Sequence, residues 1–292
     1  MLDYVPKLTI GKNKTVLHAL LACYNRREKT LKCLRSFREQ EGLTDGIEKK
    51  ATLFDDGSSD GTAAAVMTEK LADEVITGDG NYFWCGAMRK LWSEYKGNDD
   101  DLVLLLNDDV VLDPSAVKTL LNTWEWALQQ NSTEPIIVGA IQSNDRTVTT
   151  YGGMVKTSHF RPLALKMIGP SGAPARCDTF NCNCILISKK TMDYLNGFDK
   201  KFTHNMGDID LGLRATGKKI PVWLTPGYVG CCDENEASRK KKTLMERWKS
   251  IRSPKGFPIS ETLYFYKQHS PVLWPLFWAA YLTKRFFYLV LG

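Results

Sequence analysis

Residues 102–114, LVLLLNDDVVLDP, constrain what this chain can fold into more than any other stretch. An apolar run leads without a break into Asn107, Asp108 and Asp109, and more apolar residues follow before Asp113-Pro114. Such a run suits a strand buried on both faces, as in a parallel sheet. Strands of that kind end at the carboxyl edge of the sheet, where open α/β folds bind their ligands. Two adjacent carboxylates there repel each other and lose hydration, so they need a cation or solvent. A hard divalent ion, which takes few protein carboxylates and leaves positions for phosphate oxygens, is one answer. A solvated turn, with Asp113 capping the next helix, is the other. The run alone leaves both open.

The rest of the chain repeats the pattern. Residues 15–22, 49–54 and 74–77 read as earlier buried strands, and helical spacing follows each, over 26–40, 62–71 and after GDGNYFWCGAMRK. Four strand–helix alternations predict a parallel sheet with right-handed crossovers. A helix is expected over 117–128 and a strand over 136–141. Residues 146–174 read as loops and short strands, 179–188 as one strand, 191–195 and 208–216 as helices, and 220–224 as the last strand.

Each of three successive strand ends carries acids: Asp55-Asp56 in DDGSSDGT, then Asp79, then Asp108-Asp109. With Tyr24-Asn25-Arg26 after the first strand they outline a nucleotide pocket. Asp55 or Asp56 can accept from a base N–H and from ribose hydroxyls, and Arg26 can meet phosphate. Any one of these turns alone reads as a solvent-facing loop. Neither GxxxxGK[ST] nor GxGxxG occurs, which speaks against a P-loop or a dinucleotide fingerprint.

Composition narrows the class further. The chain has 292 residues and a net charge of +6, and its basic residues crowd between Arg239 and Lys255, where Glu246 is the one acid. That patch suits a phosphate-bearing ligand or an anionic membrane surface; no nucleic-acid module is recognisable, so nucleic acid is not expected as a partner. The cysteines form no CxxC pair, which argues against structural zinc. With no apolar export segment near Met1, reduced thiols in the cytoplasm are expected.

The ordered set LLACYNRREKTLKCLRSF, LFDDGSSDGT, GDGNYFWCGAMR, LLLNDDVVLDP and GFDKKF…GDIDLGLRATGKKI resembles the family 2 glycosyltransferases, most closely the rhamnosyltransferase-like enzymes of cell-surface polysaccharide synthesis. The resemblance implies an α/β GT-A fold: a Rossmann-like, mostly parallel central sheet flanked by helices, with a C-terminal helical tail. It places the glycosyltransferase domain at 1–230, with a nucleotide-binding half to about 113 and an acceptor half beyond it. Residues 231–292 would form a basic linker and an aromatic tail.

The resemblance also implies roles. The family's DxD falls on Asn107-Asp108-Asp109, which makes Asp109 the ligand of Mn2+ or Mg2+, with Asn107 in place of the first acid. The family's ED-x-DL-x-x-R segment reads here from Gly207 to Arg214, which puts the general base at Asp208 and a glycine where a glutamate is usual. Residues two apart on a helix do not share a face, so Asp208 and Asp210 cannot both enter a cleft. The helix dipole should keep Asp208 ionised, while Asp210 is either an acceptor-side group or a partner of Arg214. Trp84 and Gly86, at a helix start, would approach the nucleotide sugar; the alternative for residues 82–84 is core. Asn181, Asn183 and His204 are further acceptor-side candidates. The family's usual histidine after the last strand is missing, and Cys231-Cys232 in its place read as core. His269 could reach the diphosphate, although helix packing is the better reading. The implied reaction is inverting transfer from a nucleoside-diphosphate sugar to a saccharide or lipid-linked acceptor. A nucleotidyltransferase would be expected to carry a glycine-rich loop where CYNRREKT stands; Asn107 and Gly207 keep a catalytically inactive binding protein in view.

Residues 270–292 are apolar and aromatic but interrupted by Pro275 and Lys284-Arg285, short of the about 20 residues a span requires. An interfacial helix with Trp274, Trp278, Phe286 and Phe287 among headgroups is expected, holding the protein at the inner membrane face. Packing on the domain or in an oligomer is the alternative.

Overall fold

The computed structural model describes residues 15–43, 46–130, 133–158, 163–233 and 243–291. His159 and the basic residues 239–242 lie outside these.

Strands β1 (Thr15–Cys23), β2 (Ile47–Asp55), β3 (Glu74–Thr77) and β4 (Leu102–Leu106) are parallel, in the order β3-β2-β1-β4. Helices α1 (Arg27–Arg38), α2 (Thr62–Thr68) and α3 (Phe83–Glu94) connect them. After β5 (Val111–Leu112) and α4 (Ala116–Gln130), the chain enters β6 (Ile136–Gln142) and its antiparallel partner β7 (Thr149–Tyr151). A small second sheet pairs β8 (Gly153–Lys156) with β9 (Leu165–Met167) and with β11 (Thr179–Phe180). Short β10 (Ala175–Arg176) lies at the edge of the main sheet. Strand β12 (Cys184–Ser188) inserts antiparallel between β4 and β6, and β13 (Val222–Cys231) runs parallel to β6. Helices α5 (Lys189–Tyr194) and α6 (Gly207–Gly217) separate β12 from β13, and α7 (Leu244–Arg252), α8 (Ile259–His269) and α9 (Trp274–Leu291) complete the chain.

The uninterrupted apolar runs follow from a core on each face of the sheet. Alternate residues of β4 face opposite ways: Leu102, Leu104 and Leu106 join α1, α2 and α4, whereas Val103 and Leu105 join α3, α5 and α6. All of β4 and β6 is buried, and each such Leu, Val or Ile contributes about 1.5–3 kcal/mol relative to an exposed one. A third cluster of Cys85, Phe202, Met206, Leu213 and Phe265 fastens α8 to the starts of α3 and α6.

Three expectations change. Residues 179–188 are two strands in different sheets, broken at Asn181-Cys182-Asn183. The last strand continues past Leu224 through Pro226-Gly227, where register shifts against β6 absorb the missing N–H of proline. The expected helical tail is present as α9, but α7 and α8 stand where a linker was expected, and α8 is docked on the domain. Among the described residues no helix is long and apolar enough to cross a membrane.

Candidate active site

The carboxyl ends of β1, β2 and β4 meet in one hydrogen-bonded assembly. Arg26 places Nη1 2.8 Å from Asp108 Oδ1 and Nη2 2.9 Å from Asp109 Oδ2. Thr30 Oγ1 also reaches Asp108, and Cys33 Sγ donates to the Asn107 carbonyl, so α1 is pinned to the end of β4. Burial pushes the Asp108 carboxyl up to about 6, against the pull of Arg26 and with the push of Asp109. Asp109 Oδ1 is buried with no hydrogen-bond partner. Cys232 is buried, its thiol pushed up by burial and then by the Asp109 carboxylate. Among the described residues no cluster of three or more His, Cys, Asp or Glu could hold a metal. The orphaned oxygen nonetheless fits a hard dication that takes one protein carboxylate and draws its other ligands from phosphate and water.

The acids after β2 divide their work. Asp55 Oδ1 accepts from Ser58 N–H. Asp56 accepts from the N–H groups of Gly80, Tyr82 and Phe83 at 2.9, 3.1 and 3.0 Å. Asp56 thus caps the start of α3 from another strand, with both of its oxygens committed to main-chain donors. A side chain at Gly78 would meet Asp56 Oδ1 at 2.6 Å, so glycine there lets the two loops close. Asp79 is exposed and accepts only locally, from Asn81 N–H. Asn25 Oδ1 accepts from Ser59 N–H while Asn25 N–H donates to Ser58 Oγ, joining the loops after β1 and β2. Tyr24 is 51% exposed and lies near Gly80.

Trp84 bridges the two halves. Its indole Nε1 donates to Asn107 Oδ1 at 2.8 Å, and its ring meets Phe198 edge to face. Gly86 lies buried one turn into α3. His204 faces inward: Nδ1 lies 3.5 Å from Trp84 N–H, and burial lowers its pKa to about 4, so the ring is neutral near pH 7. Asn183 is buried and its carbonyl accepts from Asn107 N–H.

At α6 the two acids part as the helical period requires. Asp208 Oδ2 accepts from Cys182 N–H at 3.2 Å, across the break between β11 and β12, and Oδ1 accepts from Ile209 N–H. The Asn181 side chain also bonds it. Burial pushes its carboxyl above the ordinary range, and these bonds only partly oppose that; the dipole does not win. Asp210 is fully buried, held by Arg214 at 2.7 Å, Gln268 at 3.0 Å and His269 at 2.8 Å. It anchors α8 instead of facing an acceptor, and His269 packs against it instead of reaching a diphosphate. Gly207 explains the missing glutamate, because a Cβ there would lie 2.4 Å from Cys85 Sγ. Cys85, Cys182 and Gln268 escaped the sequence reading, since contacts between distant segments leave no local pattern.

Backbone strain gathers at the same loops. Asn25, Phe83 and Met206 have φ of 51°, 53° and 67°; left-handed backbone costs a phenylalanine or methionine about 1–2 kcal/mol, and such strain clusters at functional sites.

Residues 19–171 match the family model described as Glycosyl transferase family 2. Among solved structures, the fold is similar to that of the mannosyltransferase PcManGT from Pyrobaculum calidifontis in complex with GDP-Man and Mn2+, with 16% identity and a TM-score of 0.53 over 98% of this chain and 74% of that one. It is also similar to TarS 1-349 of S. aureus in complex with UDP-GlcNAc, with 12% identity and a TM-score of 0.54 over 85% and 67%. No curated protein matches. At these identities the solved structures speak for the fold, GT-A, alone. The family model spans more than half of the chain, which therefore belongs to glycosyl transferase family 2.

Proposed function

We propose that the protein transfers a sugar, with inversion, from a nucleoside-diphosphate sugar to a saccharide or lipid-linked saccharide in cell-surface polysaccharide synthesis. The observation that carries this reading is the arrangement of two carboxylate centres, Asp108-Asp109 and Asp208, linked through the chain at the break before β12: Asn107 N–H donates to the Asn183 carbonyl, and the neighbouring Cys182 N–H donates to Asp208.

In this reading residues to about 113 hold the donor and those from 114 to 230 the acceptor. Tyr24 offers an exposed ring for the base, and Asp55 and Asp79 offer acceptors to base or ribose. Arg26, with its side chain 31% exposed, can turn from the carboxylates towards the diphosphate. Asp109 Oδ1 would hold Mg2+ or Mn2+, which when bound neutralises charge on the diphosphate. Gly86, at the start of α3, lets the backbone come close to the sugar. Asp208 takes the proton of the acceptor hydroxyl as its oxygen bonds to the anomeric carbon. The bond to the diphosphate breaks on the opposite face, and the nucleoside diphosphate leaves as the anion. A carboxylate with a raised pKa is the stronger base for that step, and Asn181 and Cys182 N–H hold it in place.

Incubating the protein with UDP-, dTDP- and GDP-sugars and Mn2+, and measuring released nucleoside diphosphate, tests the reading. Turnover of at least one donor class is expected; no binding and no release across the panel would overturn it.

A further inference from the structure

Between α9, α8, the start of α6 and β9 lies a cavity of about 740 Å³, within the about 300–1,000 Å³ typical of ligand sites. Its walls include Leu165, Met206, Ile209, Phe265, Phe277 and Tyr281. Two polar groups in the lining are already spent on main-chain carbonyls: Tyr281 Oη donates to Phe257 O and Thr262 Oγ1 to Pro258 O, and Tyr266 and Tyr288 add their rings and hydroxyls to the wall. What the cavity offers a ligand is therefore mostly hydrocarbon.

The charged groups in the lining are Lys284 and Arg285. Arg285 is fixed by its bond to Gly256 O and by its place over the Tyr281 ring, whereas Lys284 is exposed. Met206 and Ile209 bracket Gly207-Asp208, so one wall of the cavity is the helix start that carries the proposed base. The outer face of α9 exposes Leu276, Phe286, Phe287 and Val290, so the helix is apolar on its outer face as well as on the face that lines the cavity.

We propose that this cavity binds the hydrocarbon chain of a lipid whose anionic phosphate head is met by Lys284 and Arg285, and that this amphiphile is the acceptor or its carrier. The chemistry of the walls selects a chain, and the basic pair selects a phosphate over a neutral alcohol. The assignment to an acceptor rests on the glycosyltransferase reading; the binding itself does not.

The probe is farnesyl phosphate below its critical micelle concentration, titrated into the full-length protein and followed by calorimetry, with farnesol and inorganic phosphate as controls. Saturable binding of farnesyl phosphate is expected, with farnesol weaker and inorganic phosphate undetected. Ala280→Trp, which places an indole in the cavity, should weaken farnesyl phosphate by about tenfold or more, and Lys284→Glu should reduce it to the level of farnesol. Circular dichroism and calorimetry with the nucleotide donor check that both variants are folded. Absent or non-saturable binding, or equal binding by Ala280→Trp, would overturn the site. Equal affinity for farnesol and farnesyl phosphate would overturn the assignment of the head. A concentration-dependent dimer abolished by Ala280→Trp, without lipid binding, would make the cavity a surface for a second copy and sink the proposal. Donor release with no lipid binding leaves the transferase reading intact, and lipid binding with no donor release does the reverse.

Discussion

At Asp109 one carboxylate oxygen meets the Arg26 guanidinium, and the other has no nitrogen or hydroxyl donor and only the Cys232 thiol beside the carboxylate. Arg26 therefore supplies, without donor, the positive charge that the paired acids require. An arginine in that place competes with a dication for the same carboxylates. Arg26→Gln should tighten donor-free Mn2+ binding by about tenfold, from the electrostatics of two uncompensated carboxylates, while weakening nucleoside-diphosphate binding. Electron paramagnetic resonance of free Mn2+ reads the first effect and calorimetry the second; unchanged or weaker Mn2+ binding would count against the competition. Asp208 carries a pH signature. Its folded pKa is raised, so the folded protein keeps that proton to higher pH than the unfolded chain. The stability linked to that proton is present at low pH and lost as pH rises through the folded pKa. As a base it works in the opposite sense, and the acidic limb of kcat should lie above the ordinary carboxylate range. Sequence spacing separated Asp208 from Asp210, because that rests on helical period alone. It could not tell Asp55 from Asp56, since what spends Asp56 is a loop more than twenty residues away.

The elements around the site are matched pairwise, and α3 against α6 is a close case. Glycine at 207 leaves room only because Cys85 Sγ fills the space. Gly207→Ala should cost about 1–3 kcal/mol by overpacking, read as a lower thermal midpoint, and Cys85→Gly in the same chain should recover most of the loss. If Gly207→Ala melted like the wild type, the close packing would be wrong. Strands were the most legible elements, because β4 and β6 are buried on both faces and so spell continuous apolar runs. The break at Asn181-Cys182-Asn183 was not legible. Its alternation fits a continuous strand, and only the Cys182 N–H bond to Asp208 shows why the chain turns there. A C-terminal helical tail was legible in the aromatic run, but the docking of α8 was hidden for a related reason, since Asp210 meets Gln268 and His269 across nearly sixty residues.

For the whole molecule, the C-terminal aromatics separate into two sets. Trp278 stacks on Tyr281 and Lys267 lies over Trp274, so these half-buried tryptophans have partners on the protein, whereas Phe286 and Phe287 are 62% and 53% exposed. With Trp248 also exposed and Arg247, Lys249, Arg252 and Lys255 in or next to α7, this end of the protein suits an anionic lipid surface. Each basic residue near such a surface adds about 1 kcal/mol, a contribution that salt screens. The full-length protein should co-sediment with phosphatidylglycerol vesicles at low salt, and the double substitution Phe286→Glu with Phe287→Glu should release most of it. Protein that stays in the supernatant at low salt would contradict membrane docking.

The central claim, that Asp208 is the base of a nucleotide-sugar transferase, is tested most directly by measuring donor affinity and nucleoside-diphosphate release side by side for the wild type and Asp208→Asn. The amide keeps the shape of the carboxylate but cannot take the proton. Turnover should fall by about 10²–10⁴-fold while the donor Kd stays within about twofold, because the proposed donor contacts lie on the loops after β1, β2 and β4 and not on α6. An Asp208→Asn protein that turns over like the wild type, or one that loses donor binding together with turnover, would contradict the assignment.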